Sequence, residues 1–126
     1  MSGAAVEQSL IPEDPEDLKL ITLARATLAR TGAAQGACVR DTEGRAYAAA
    51  SVHLEHLRLS AIGVAVAMAV SSGASGLEGV ALVSEERPPP DDLEIVRDLS
   101  GDGVTLWWAD PRGTVQSVVE IRCGSS

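Results

Sequence analysis

Between Leu59 and Gly76 the chain carries no charged residue, and this stretch restricts the fold more than any other. Its centre, Val64-Ala-Val-Ala-Met-Ala-Val70, alternates like a strand. Both alternating sets are apolar, however, so a strand here would have no face for water, and the run exceeds a typical strand length. The stretch therefore predicts a helix over Leu59 to Val70 that is buried on nearly all sides, with Ala and Gly63 letting it lie close to a sheet. It is too short to be a membrane span: Ser and Gly interrupt it from Ser71, leaving about 12 strongly apolar residues where about 20 are needed.

The flanking segments supply the sheet and the other helices. Asp14 as N-cap, Pro15 at the first helical position, and Glu16 and Asp17 in the first turn start a helix. Leu20, Ile21, Leu23, Ala24, Thr27, Leu28 and Thr31 share one side of it, and Gly32 closes it. Gly36 to Arg40 and Arg45 to Ala49 flank Asp41-Thr-Glu-Gly44 and read as a β-hairpin. Ser51 to Arg58 is a polar loop. Gly79 to Ser84 is a continuous apolar run suited to an interior strand. Glu85 to Pro90 is a loop, and Asp91 to Leu99 a short helix in which Asp91 caps and Glu94 completes a capping box. Val104 to Ala109 and Val115 to Ile121 are strands joined by a turn at Asp110-Pro-Arg-Gly113. The order is α-β-β-α-β-α-β-β, within one domain over residues 14–122. Residues 1–13 form a leader and 123–126 a tail.

Charge and composition exclude several roles. A net charge of −8, with ten scattered basic residues, argues against nucleic acid, which demands clustered Lys and Arg. Met1 to Glu7 lacks the basic and apolar regions of a secretory signal. Two cysteines, Cys38 and Cys123, make neither a disulfide framework nor a ligand cluster, so a reducing cytoplasm is the expected location. With no Phe, one Tyr and two Trp, the core must be filled by small side chains in close packing.

Few residues suggest chemistry. His53-Leu-Glu-His56 offers two imidazoles and a carboxylate, a partial divalent-metal set; its plainer reading is an exposed polar loop. Ser60, near a helix start, reads as an N-cap or packing residue, since no base is tied to it by sequence. Cys38 reads as core. Trp107 and Trp108 are adjacent in a strand, so they face opposite sides, one entering the core and the other packed under a helix or anchoring an interface.

The element order over Asp14 to Arg122, with Ala69-Val-Ser-Ser-Gly73 closing the central helix and Val80-Ala-Leu-Val-Ser-Glu85 preceding a Pro-rich loop, resembles the small cytidine deaminases. That resemblance implies a three-layer α/β/α sandwich with a mixed five-stranded sheet. It also implies a site built from the starts of the central helix and the next one. Family members hold zinc with a Cys or His and two cysteines, and use a Glu as proton shuttle. Here Ser60 stands at the zinc-ligand position of the central helix and Ile62 at the Glu position. Pro90-Asp91-Asp92-Leu93-Glu94 replaces Pro-Cys-x-x-Cys, placing Asp91 and Glu94 at the remaining ligand positions. A hydroxyl is a poor zinc ligand at neutral pH, and Ile62 cannot move a proton.

The expectation is a degenerate relative with no catalytic residues, no metal and no cofactor, acting as a binding or assembly module. Ser51, His53, Glu55 and His56 fall near the family's ribose-holding segment and are candidates for contacting a nucleoside-like ligand. The small enzymes of this family are homo-oligomers, so a homodimer or homotetramer is expected. Two alternatives stand beside this reading. One is a roadblock- or longin-like scaffold that docks onto a GTPase, distinguished by a plain strand meander around Asp91 to Leu99. The other is an enzyme with rebuilt chemistry, using His53, Glu55, His56 or the Asp91/Asp92/Glu94 cluster.

Overall fold

In the computed structural model, which describes residues 11–122, helix α1 (Pro15–Thr31) begins and ends as its sequence dictates. The Asp14 carboxylate accepts the Glu16 N–H at 2.9 Å, and Gly32, at φ 68°, donates its N–H to the Leu28 carbonyl. Most of the expected leader (residues 1–10) and the whole tail (123–126, with Cys123) lie outside the described residues.

Strands β1 (Gln35–Asp41) and β2 (Ala46–Ala50) form the expected antiparallel hairpin. The segment read as a polar loop is not wholly irregular. It contains a second, small hairpin, β3 (Val52–His53) and β4 (Arg58–Leu59). The Leu54 N–H donates to the Leu57 carbonyl at 2.8 Å to close its turn. Helix α2 (Ala61–Ser71) follows, then β5 (Leu77–Ser84), α3 (Pro90–Arg97), β6 (Val104–Ala109) and β7 (Val115–Ile121).

The five long strands form one sheet in the order β2-β1-β5-β6-β7. All neighbours are antiparallel except β5 and β6, which run parallel with α3 as their crossover. A parallel pair bridged by a helix is the deaminase arrangement and not the meander of a roadblock- or longin-like scaffold. The mixed α/β sheet between helical layers is the fold expected from the sequence.

Two packed interiors flank the sheet. Leu20, Ile21 and Ala24 of α1 meet Cys38, Ala81, Val83 and Trp107 on one face. Ala61, Ile62, Ala65, Val66 and Ala69 of α2, with Val96 of α3, meet Ala37, Val39, Val80, Leu82 and Leu106 on the other. Trp107 and Trp108 divide between these faces as strand alternation demands, and both are packed: Trp108 donates its indole N–H to the Ser84 carbonyl at 3.1 Å. Cys38 is fully buried, and burial pushes its thiol up to about 11, so it is core and not a nucleophile.

Two expectations are corrected. Helix α2 is buried on one side only: Met68 is 39% and Val70 51% exposed, because the sheet covers the Ala61/Ala65/Ala69 face. Helix α3 starts two residues earlier than the capping-box reading required. Pro90 takes the first helical position, where its fixed φ and missing N–H cost nothing, so Pro89 is the N-cap and Asp91 lies inside the first turn.

Candidate functional site

Parallel strands leave a crevice beyond their carboxyl ends, where α/β proteins commonly place ligands. Here that end of the sheet carries a cavity of about 840 Å³, within the range of small-molecule sites. Leu28, Ala29 and Gly32 at the end of α1 form one wall. Val52, His53, Arg58 and Leu59 of the small hairpin form another, and Ser84, Glu85 and Glu86 close the side beyond β5. Gln35, Ser51 and Ser60 also line it.

The last three residues form a connected polar edge. Ser51 Oγ accepts the Gln35 N–H at 3.1 Å, and Gln35 Oε1 accepts the Ala61 N–H at 3.1 Å. Ser60 is the N-cap of α2, its Oγ accepting the Gly63 N–H at 3.0 Å. Two of the four N–H groups that a helix start leaves open are thus satisfied by side chains, one of them from a strand 26 residues earlier. That long-range cap has no local sequence signal.

The start of α3 meets the start of α2 at this edge. Asp92 is only 4% exposed. Burial pushes its carboxyl above the ordinary value. The Ser60 hydroxyl acts against the rise and the Asp91 carboxylate adds to it. Asp92 Oδ2 has no hydrogen-bond partner among the described residues. The sequence marked Asp91 and Glu94 in place of Asp92, because those two take the cysteine places of the family's Pro-Cys-x-x-Cys pattern. With Pro90 at the first helical position, Asp92 shares a face with Val96, four residues on, and both are buried.

The remaining candidates disperse. Ser51, His53 and Ser60 line the cavity. Ile62 is fully buried in the α2 core. Glu55 and His56 sit at the tip of the small hairpin, with side chains 86% and 89% exposed and 3.9 Å apart. Asp91 and Glu94 face solvent on α3, where Glu94 pairs with Arg97 at 3.3 Å. No group of three or more His, Cys, Asp or Glu side chains is placed to hold a metal ion among the described residues. Where α2 and α3 begin, the inward-facing donors are one hydroxyl and one buried carboxyl, short of the three protein ligands that a zinc site needs. That set does not fit zinc, which is held by thiolate, imidazole or ionised carboxylate.

Comparison with known proteins agrees with this architecture. Residues 13–113 match the sequence profile of the cytidine deaminase-like family, and the chain belongs to that family. Among solved structures it is similar to the cytidine deaminase of Burkholderia pseudomallei. The TM-score is 0.71 at 18% identity, covering 82% of this chain and 91% of that one. The cytidine deaminase of Mycobacterium leprae gives a TM-score of 0.65 at 17% identity over the same shares. That of Mycobacterium tuberculosis gives 0.61 at 22% identity, covering 70% of this chain and 80% of that one. A search of curated proteins finds no match.

Proposed function

We propose that this chain is a cytidine deaminase-like protein that works without a zinc centre, as a non-catalytic, homo-oligomeric module binding a nucleoside-sized ligand in the cytoplasm. One observation carries the reading: a cavity of about 840 Å³ persists beside the start of α2, while the groups at the starts of α2 and α3 are unsuited to zinc hydrolysis. Ile62, at the position the resemblance gives to the proton-moving Glu, is an aliphatic side chain sealed in the core. Ser60, Asp91 and Glu94, at the positions the resemblance gives to zinc ligands, offer a hydroxyl and two carboxyls in place of metal-gripping thiolates.

Retention of the cavity supports binding, because a disused site is free to collapse under close packing. Ser51 and His53 line it beside Ser60 and supply polar groups for a sugar-like ligand. The enzyme reading with rebuilt chemistry draws less support, since Glu55 and His56 point away from His53's wall into solvent.

The test is metal analysis of protein purified without a histidine tag, together with a cytidine turnover assay. The expected result is substoichiometric zinc and no uridine formation above the uncatalysed rate. Stoichiometric zinc with measurable uridine would overturn the reading.

A further inference from the structure

The cavity wall carries charge of both signs, and the two signs stand on different elements. Arg58 and His53 are direct partners in the β3–β4 hairpin, so their side chains project from one face of it, and both line the cavity. The Arg58 Nε donates to the Leu54 carbonyl at 3.3 Å. Its other guanidinium nitrogens have no partner among the described residues. Glu85 and Glu86 line the cavity from the exit of β5. Among the described residues, none of these four side chains belongs to an ion pair.

The acidic side is held in place by its main chain. The Trp108 indole N–H holds the Ser84 carbonyl, and the Ser84 hydroxyl donates to the Glu86 carbonyl. The next residue, Arg87, is drawn over the Trp108 ring, 5.2 Å from its centroid, and does not line the cavity. The nearest cation in sequence therefore leaves Glu85 and Glu86 unneutralised. Sheet geometry keeps the two poles apart. The hairpin follows the end of β2, Glu85 follows the end of β5, and β1 stands between those strands. Two strand spacings separate the roots of the poles by about 10 Å. Leu28, Val52, Leu59 and Pro111 make the wall apolar elsewhere.

This distribution selects by charge. A neutral molecule displaces water from both poles and repays neither. An anion suits Arg58 but faces two carboxylates, and a cation meets the reverse. A molecule with one charge of each sign, set apart, satisfies both.

We propose that the cavity takes a small zwitterion with an apolar middle, as a dipeptide presents. Its carboxylate is held by the Arg58 fork and the His53 ring, and its ammonium by Glu85 and Glu86. Two extended residues span about 7 Å, and the four side chains bridge the remainder. The assignment rests on the reading of the cavity as a ligand site, and it gives that site a ligand class.

Titration calorimetry on the intact chain at low ionic strength tests it with four probes. They are L-alanyl-L-leucine, its N-acetyl form, its C-terminal amide, and uridine as a neutral molecule of comparable size. The free dipeptide should bind, and capping either end should weaken binding by about tenfold, the worth of one hydrogen bond between charged groups. Arg58→Gln should erase the penalty of amidation while keeping that of acetylation. Glu85→Gln combined with Glu86→Gln should do the opposite. All three positions are exposed, and a crossed pattern of this kind cannot arise from a general loss of folding. Equal binding of the free and capped dipeptides overturns the assignment. Uridine binding without dipeptide binding also overturns it and leaves the binding reading standing. Binding of none of the four overturns both.

Discussion

At the turn between β1 and β2, Asp41 shows how one carboxylate can organise several neighbours. It is 1% exposed, and its Oδ1 accepts the N–H groups of Glu43 and Arg45, each at 2.9 Å. Oδ2 accepts the Tyr47 hydroxyl at 3.0 Å. Burial alone would raise its pKa. The Arg45 N–H, the Tyr47 hydroxyl and the Glu43 N–H outweigh burial, and the carboxyl titrates below its ordinary value. A depressed carboxylate contributes stability that is fully present above its unfolded pKa, about 3.9, and lost as pH falls through the folded one. Tyr47→Phe should therefore cost about 1.5–3 kcal/mol at neutral pH, the worth of a hydrogen bond to a charged acceptor. The gap between variant and parent should close as the solution is acidified below about pH 4. Urea unfolding at several pH values measures this, and a gap independent of pH would show that the hydroxyl does not act through an ionised Asp41.

At the scale of elements, small residues set the spacing between layers. A Cβ at Gly36 would run into the Ala24 carbonyl oxygen and come within 3.0 Å of Leu28 Cβ, so α1 lies on β1 only because position 36 has no side chain. Gly36→Ala should destabilise the protein by about 1–3 kcal/mol, the usual cost of overpacking, read as a lowered midpoint in chemical unfolding. An unchanged midpoint would mean that α1 can move off the sheet freely. The same scale separates what was legible in the sequence from what was not. Strands β6 and β7 and the start of α1 were marked by the Asp110-Pro-Arg-Gly113 turn and by an Asp-Pro cap, signals carried within a few residues. The phase of α3 was missed because a capping box and a proline at the first helical position compete over adjacent residues, and the proline won. The β3–β4 hairpin was missed because two-residue strands leave no periodicity to detect. In the candidate site, Ser60 as N-cap was legible. The Gln35 cap on Ala61 was not, because it joins segments distant in the chain.

For the whole molecule, the distribution of exposed apolar side chains matters more than their number. Of the large hydrophobics exposed among the described residues, Leu54, Leu57, Leu59, Met68 and Val70 fall in the single stretch covering the small hairpin and α2. Scattered exposed apolar residues need no explanation, but a concentration of them marks an interaction surface. The molecule carries a net charge of −8, yet α2 has no charged residue, so two copies approaching through it would meet least repulsion at their point of contact. The side of α2 that the sheet leaves uncovered is thus where the proposed self-association belongs. Light scattering on the parent protein should give a mass of two or four chains. Met68→Glu combined with Val70→Glu should reduce it to one, since carboxylates buried without partners oppose association. Circular dichroism should remain unchanged, because both side chains already face solvent within the single chain. A monomeric parent would remove the assembly half of the proposed function, while an oligomer indifferent to both substitutions would move the interface elsewhere.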